Sequence, residues 1–333
     1  MQISIIIPNK DNCSKLDRCI KSIKGSNFKD YEIIIVDDGS SAMGIKKFYQ
    51  KIESSNLEIL FNKNNLGPSY SRNRGASCAK GEILLFIDSD CYIFSNTLEI
   101  INNFLKKNKE ISCIGGTYTI FSPSGNFFDN FQSLTVHYFE TKQKYAPYLA
   151  GHCFAIRKDL FNKTEGFVIG RDIGRKPNVE DVVFSFQLKK IGEKLIILPH
   201  LLVKHDSGYD LFKSIKNAFN KSFIWIKLSA KLNVVGSDLG AGGKELKISI
   251  ILLYLFLLSL LSGFFYPLTL VAGLLFLLLN IINLYPMIKL SVKKTLLFSF
   301  AFYFYFTFVY SLFVGIGGFL GFLDYFILGN KEL

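Results

Sequence analysis

The chain has 333 residues, with 39 lysines and arginines against 27 acidic residues and a formal net charge of +12. This basic excess fits attraction to anionic lipid better than nucleic-acid binding, because the sequence contains no compact basic motif of an RNA or DNA module. The six cysteines form no C-x-x-C pair and no metal-ligand cluster, which favours reduced, mostly buried thiols in a cytosolic domain.

The first 87 residues alternate between strand-forming and helix-forming segments. Short apolar runs predict strands at residues 3–7, 31–36, 57–61 and 83–87. Leu16, Ile20 and Ile23 recur at helical spacing after the first strand, and residues 69–80 are typical of a helix. This alternation predicts a parallel, doubly wound sheet, whose ligands bind beyond the carboxyl ends of its strands.

The fourth predicted strand runs directly into Asp88-Ser89-Asp90. Residues spaced i and i+2 in an extended chain point the same way, so we expect Asp88 and Asp90 to face one oxygen-rich site. A hard divalent cation and a diphosphate would share such a site. From the triplet alone, an ordinary acidic turn remains the alternative.

Five segments of the chain, in this order, resemble the family-2 inverting glycosyltransferases of the GT-A fold. They are IIIPNKDN, IIIVDDGSS, NNLGPSYSRNRGASCAKGEILLFIDSD, GHCFAIRKDLF followed by EGF, and VEDVVFSFQLKKIG. The resemblance covers residues 1 to about 205 and implies an α/β domain at 1–207. It implies a GT-A type, Rossmann-like and mostly parallel sheet with helices on both faces.

The resemblance also implies roles for individual residues. On the donor side, Pro8, Asn9 and Asp38 would hold the nucleobase, and Arg72 would approach the base or the diphosphate. Asp88 and Ser89 would contact the ribose end of the donor, and Asp90 with Asp88 would bind the metal. On the acceptor side, Asp181 would be the catalytic base, and the acceptor region would be lined by Gly151, His152 and Glu180. Some GT-A enzymes place a histidine where His205 stands, to complete the metal shell.

The chemistry of sugar transfer asks for these residue types independently. A divalent cation, Mn²⁺ or Mg²⁺, stabilises the charge that develops on a leaving diphosphate. An acceptor hydroxyl needs a carboxylate to take its proton during attack. A single attack inverts the anomeric carbon, so no second nucleophilic carboxylate is required, unlike in retaining glycosidases.

Several of these residues have simpler alternative roles. Glu180 and Asp181 open an amphipathic run, and both acids could only favour a helix N-terminus. Asp38 could belong to a turn, and His205 could be a surface histidine after the strand-like run 194–203. In the glycine-containing loop 166–177, Arg171, Arg175 and Lys176 could clamp phosphate or only keep the loop solvated. No pattern resolves residues 115–143.

The composition changes after residue 247. No charged residue occurs from 248 to 288 or from 295 to 323. An uncharged interval of about 40 residues is enough for two spans of about 20 residues each. We therefore predict an all-α membrane anchor at 247–328, with helices at 247–264, 267–286 and 295–316. Residues 317–328 either extend the last helix or lie along the interface.

Lysine placement predicts the orientation of these helices. Lys289, Lys293 and Lys294 lie between the second and third spans, whereas the turn at 263–267 carries no charge. Positive charge is retained in the cytoplasm, so three spans place the catalytic domain there and the C-terminus outside. The apolar run 3–7 is too short for a signal-peptide core. We expect a multi-pass protein of the cell membrane.

Residues 208–236 link the two regions. Apolar residues at helical spacing alternate with lysines there, which predicts an amphipathic helix at the headgroup interface, with a buried domain helix as the alternative. Processive polysaccharide synthases, which the chain also resembles, carry a Q-x-x-R-W signature in this region. The residues ending at Trp225 are KSFIW, without that Gln or Arg, which favours transfer of a single sugar.

The sequence thus predicts a membrane-anchored glycosyltransferase that moves one sugar from a UDP- or GDP-sugar to a lipid-linked or other membrane acceptor. Three alternatives remain at this point: direct transfer to polyprenyl phosphate, a non-catalytic nucleotide-sugar-binding subunit of a glycan assembly complex, and a nucleotidyltransferase. The last lacks the glycine-rich activating loop expected after Ile7. A binding subunit would have no use for a catalytic base.

Overall fold

The computed structural model describes residues 2–42, 44–52, 54–143, 145–168, 179–234 and 243–332. Its strands are β1 Ile3–Asn9, β2 Tyr31–Asp37, β3 Leu57–Phe61, β4 Ile83–Phe86, β5 Cys91–Ile93, β6 Cys113–Tyr118, β7 Phe154–Arg157 and β8 Ile196–His205. Its helices are α1 Cys13–Lys24, α2 Ile45–Ile52, α3 Pro68–Cys78, α4 Thr97–Lys107, α5 Phe127–Thr141, α6 Lys158–Phe161, α7 Glu180–Lys190, α8 Leu211–Lys231, α9 Lys244–Gly263, α10 Thr269–Ser291 and α11 Leu296–Ile327.

Contacts divide the chain into two compact units. The first comprises residues 1–123 and 140–207, and the second comprises residues 124–139 and 208–333. Within the described residues of the first unit, eight strands form one mixed sheet in the order β3-β2-β1-β4-β7-β6-β8-β5. β3, β2, β1 and β4 are parallel, β7 is antiparallel to both of its neighbours, and β5 is antiparallel to β8. The predicted fold class, a mostly parallel α/β sheet followed by helices, is confirmed.

The parallel half of the sheet forms the centre of the core. All residues of β2 and β4 are buried, which matches the near-continuous apolar sequence of parallel strands covered on both faces. Helix α3 lies very close to this sheet, because a Cβ at Gly75 would lie 2.5 Å from Ile6 Cγ2. Arg72 is three residues before Gly75 and therefore on the same side of α3. The close contact of α3 with the sheet therefore fixes the position of the Arg72 backbone.

Among its described residues, the second unit has three helices that are long and apolar enough to cross a membrane. They are α9, α10 and α11, of 20, 23 and 32 residues. Helix α11 includes π-helical turns at Tyr305–Tyr310 and Leu323–Ile327, so it continues through the residues considered as an extension of the third span.

Helix α8 occupies the region for which the sequence suggests an interfacial helix. In the second unit it packs along α11, whose glycines allow close approach: a Cβ at Gly321 would lie 2.5 Å from the Phe223 carbonyl oxygen. Lys227 of α8 is 3% exposed and forms a 2.6 Å ion pair with Asp324 of α11. A buried lysine needs such a partner, so this pair fixes the register of the two helices.

Candidate active site

The acidic triplet after β4 forms a tight turn. The Cys91 N–H donates to the Asp88 carbonyl oxygen at 3.0 Å, and Ser89 lies half-buried between the two aspartates. The expectation of an extended chain was therefore wrong, because β4 ends at Phe86 and the backbone reverses before β5. As a result, Asp88 and Asp90 contact different partners, Arg72 and His205.

The guanidinium of Arg72 joins the two acidic motifs. Its Nη2 lies 2.7 Å from Asp88 Oδ1, its Nη1 lies 2.8 Å from Glu180 Oε1, and its side chain is 4% exposed. Burial alone would lower the pKa of Arg72, but Asp88 and Glu180 raise it overall, so the group stays charged. Gly151 provides the necessary space, because a Cβ there would lie 2.7 Å from Arg72 Nη2.

Asp181 is held at the start of α7 by two backbone donors. Its Oδ2 accepts from the Gly151 N–H at 3.0 Å and its Oδ1 from the Val182 N–H at 2.8 Å. The bond to Gly151 reaches outside the helix, so Asp181 does more than favour the N-terminus of α7. Burial, followed by the charge of Glu180, raises the pKa of Asp181 to about 6, although the two N–H donors and Arg72 oppose the shift. A carboxylate with this pKa can exchange a proton near neutral pH.

Asp90 and His205 form the part of the site that is suited to a cation. Their ligand atoms and the Cys91 thiol all lie within 4.8 Å of one another, and His205 Nε2 is 3.4 Å from Asp90 Oδ2. Burial would raise the pKa of Asp90, but His205 and Lys15 lower it overall, so the carboxylate is ionised and able to bind metal. A carboxylate and an imidazole suit Mn²⁺, whereas a hard cation has little preference for the buried thiol.

Asp38 and Asn9 lie at the carboxyl ends of β2 and β1, where the sequence places the nucleobase. The Asp38 carboxylate accepts from the backbone N–H groups of Leu66 and Gly67 at 2.9 and 2.8 Å, and thereby holds the turn that starts α3. Asn9 Nδ2 donates to the Tyr49 hydroxyl at 3.0 Å. Within the described residues Asn9 Oδ1 is buried without a hydrogen-bond partner, which leaves one acceptor for a ligand. Pro8 precedes it in β1, opposite Val36.

His152 follows Gly151 and forms a buried pair with Glu140. His152 Nε2 is 3.5 Å from Glu140 Oε2, and the two side chains are 6% and 7% exposed. The Tyr118 ring packs between His152 and His205. The sequence interpretation missed Tyr118 and Glu140, which both lie in the segment 115–143 where it found no pattern. Arg171, Arg175 and Lys176 lie outside the described residues.

Comparison with known proteins matches the N-terminal part of the chain to a family. Residues 4–164 match the model for glycosyl transferase family 2. A poly(ribitol-phosphate) beta-glucosyltransferase of Bacillus spizizenii is 38% identical over 34% of this chain and 19% of that protein. A GalNAc(5)-diNAcBac-PP-undecaprenol beta-1,3-glucosyltransferase of Campylobacter jejuni is 33% identical over 30% of this chain and 33% of that protein. The matched part therefore spans well under half of either relative.

A solved structure extends the likeness beyond the matched residues. A mannosyltransferase from Pyrobaculum calidifontis, in complex with GDP-Man and Mn²⁺, aligns with a TM-score of 0.57 at 13% identity. The alignment covers 96% of this chain and 87% of that one, and at this identity it concerns the fold alone. Together with the family match, it shows that the chain carries a family-2 glycosyltransferase domain of the GT-A fold.

The bridge through Arg72 leads to a stability prediction. Arg72→Met removes the cation 2.8 Å from the buried Glu180 carboxylate, and an unpaired buried charge costs about 3–5 kcal/mol. We expect a clearly lower Tm for the full-length protein in detergent, followed by circular dichroism. Arg72→Met combined with Glu180→Gln should recover part of the loss, because the unpaired charge is then absent. An unchanged Tm in the single variant would contradict a structural role for the bridge.

Proposed function

We propose that the chain is a membrane-anchored inverting glycosyltransferase that moves one sugar from a nucleotide-sugar donor to a lipid-linked or other membrane acceptor. One observation carries the proposal. Asp181, with a pKa raised to about 6, stands next to Glu180, which Arg72 connects to the Asp88 carboxylate. A candidate base and the donor-binding motif are thus joined through a single charged group.

The donor side of the mechanism uses Asp90, Asp88 and His205. Asp90 and His205 would hold a divalent cation, Mn²⁺ or Mg²⁺, at the carboxyl end of the sheet. When bound, such an ion stabilises the negative charge that develops on the departing diphosphate. Asp88 keeps its orientation through Arg72, at 2.7 Å, and is 36% exposed, so its second oxygen can meet the donor. Asn9 and Asp38 would position the nucleobase.

The acceptor side of the mechanism uses Asp181 as the general base. The Asp181 carboxylate takes the proton of the acceptor hydroxyl while that oxygen forms a bond to the anomeric carbon. The bond from this carbon to the diphosphate oxygen breaks in the same step, so the nucleoside diphosphate leaves and the sugar is attached to the acceptor with inverted configuration. The N–H groups of Gly151 and Val182 hold the carboxylate in place. A subunit that only bound nucleotide sugar would need no such base.

The relatives and the apolar helices support the substrate classes. The Campylobacter jejuni relative is named for an undecaprenol-linked acceptor, and the structural neighbour was solved with GDP-Man. These names favour a nucleotide-sugar donor and a lipid-linked acceptor here. Three helices long and apolar enough to span a membrane would tether the domain where a lipid acceptor resides, which raises the effective concentration of the acceptor.

The role of Asp181 predicts a pH dependence. Because the pKa of Asp181 is raised to about 6, the proton-accepting form is lost as the pH falls through 6, and kcat/KM should fall with it. Asp181→Asn should reduce transfer by about a hundred- to ten-thousandfold, while nucleotide affinity measured by calorimetry stays nearly unchanged. Asp17→Asn, on the exposed side of α1, is the matched control and should leave transfer intact. An equal loss of nucleotide affinity in Asp181→Asn would make Asp181 a binding residue instead.

The positions of the lysines predict the topology. Single cysteines at Val292, which is 46% exposed, and at exposed Asn330 can be introduced after the six native cysteines are replaced. With a membrane-impermeant thiol reagent on intact cells, we expect labelling at Asn330 and no labelling at Val292 until the cells are permeabilised. The opposite pattern would place the catalytic domain outside the cytoplasm, away from nucleotide sugars, and would overturn the membrane part of the proposal.

A further inference from the structure

Three aromatic rings form a stack next to the candidate metal site. The Tyr118 ring centroid lies 4.4 Å from that of His205, with 14° between the ring planes. On its other side, Tyr118 lies 4.1 Å from His152, at 34°. Tyr118 is 7% exposed, so its ring is enclosed between the two imidazoles. Both faces of a single tyrosine are thus in contact with histidine.

The backbone around His205 is fixed by the sheet. His205 pairs with Cys91 of β5, directly after Asp90, and Tyr118 pairs with Val203, two residues before His205. Side chains two residues apart on a strand point to the same face, which places Tyr118 and His205 on one side of the sheet. The Ser122 hydroxyl also donates to the His205 carbonyl oxygen at 3.1 Å. With its backbone fixed in this way, His205 can still change the orientation of its ring by rotation of the side chain.

A metal-binding histidine usually has this rotation fixed by a hydrogen bond from its second ring nitrogen. Within the described part of the chain, His205 Nδ1 is buried and has no hydrogen-bond partner. Its Nε2 lies 3.4 Å from Asp90 Oδ2. Contact with the Tyr118 ring is therefore the interaction that can hold Nε2 toward Asp90.

The far face of Tyr118 is held in turn. His152 contacts it there, and the buried Glu140 carboxylate lies 3.5 Å from His152 Nε2. Glu140, His152, Tyr118 and His205 thus form a continuous row, of which the first three are buried, that ends at Asp90. In such a row, a shift of one ring displaces the next.

We infer that Tyr118 is a positioning residue that orients the His205 imidazole for metal binding, with His152 and Glu140 holding Tyr118 from behind. The inference rests on the proposed function, because it assumes a cation at Asp90 and His205. According to this inference, metal affinity requires the ring of Tyr118 and does not require its hydroxyl. It thereby gives a role to Tyr118 and Glu140, which have none in the proposed mechanism.

The test measures Mn²⁺ binding to the full-length protein in detergent. Free Mn²⁺ is followed by electron paramagnetic resonance with saturating UDP and, in parallel, with GDP. Spin-echo modulation from ¹⁴N reports whether an imidazole is bound to the metal. The variants are Tyr118→Leu, which removes the ring, Tyr118→Phe, which keeps it, His205→Ala, the double variant Tyr118→Leu with His205→Ala, and Asp90→Asn.

We expect Tyr118→Leu to weaken Mn²⁺ binding about tenfold or more and to remove the ¹⁴N modulation, as loss of outer-shell support typically does. Tyr118→Phe should bind like the parent protein. In the His205→Ala background, Tyr118→Leu should have no further effect, because Tyr118 acts through His205.

Two other outcomes separate the inference from the proposed function. In the first, Asp90→Asn and His205→Ala weaken Mn²⁺ binding but Tyr118→Leu does not, or Tyr118→Leu still weakens it in the His205→Ala background. Either result makes the inference wrong and leaves the metal site standing. If the parent protein binds no Mn²⁺ with either nucleotide, or if Asp90→Asn binds as well as the parent, the metal site fails and the inference with it.

Discussion

The candidate site depends on the ion pairs that the buried guanidinium of Arg72 forms with two carboxylates. The guanidinium joins Asp88 and Glu180, which lie 16 and 108 positions away in the chain. Removing a guanidinium from water is unfavourable unless its charge is matched, and the two carboxylates at Nη1 and Nη2 provide that match. The close contact of Gly75 with Ile6 brings α3 against the sheet, and the absence of a side chain at Gly151 makes room for the guanidinium.

The same bridge separates the roles of two adjacent carboxylates. Glu180 is bound to Arg72, whereas Asp181 is held by backbone N–H groups and lies in a half-buried setting. Burial, followed by the charge of Glu180, raises the pKa of Asp181, and Arg72 limits the rise. A carboxyl group with a raised pKa beside a charged partner is typical of acid–base sites. Glu180 is therefore assigned to the bridge with Arg72, and in the proposed mechanism Asp181 takes the proton.

Much of the fold could be predicted because β1, β2 and β4 are short, almost entirely apolar runs. β5 has only three residues, β7 ends in the charged Arg157, and β6 contains two glycines that suggest a break. In the structure Gly116 is a packing position, since a Cβ there would lie 2.6 Å from the Leu201 carbonyl oxygen. Motif residues such as Asp181 could be named from the sequence. Tyr118 could not, because its ring contacts come from β8 and from a segment next to β7, both distant along the chain.

The central claim is transfer of a single sugar with inversion, and one measurement tests it most directly. The full-length protein is incubated with a panel of UDP- and GDP-sugars and total membrane lipid, the products are weighed by mass spectrometry, and the new anomeric centre is assigned by proton NMR. The account predicts one added sugar per lipid acceptor, from one nucleotide class, with configuration opposite to that of the donor. Retained configuration, or a ladder of repeated additions, would contradict it.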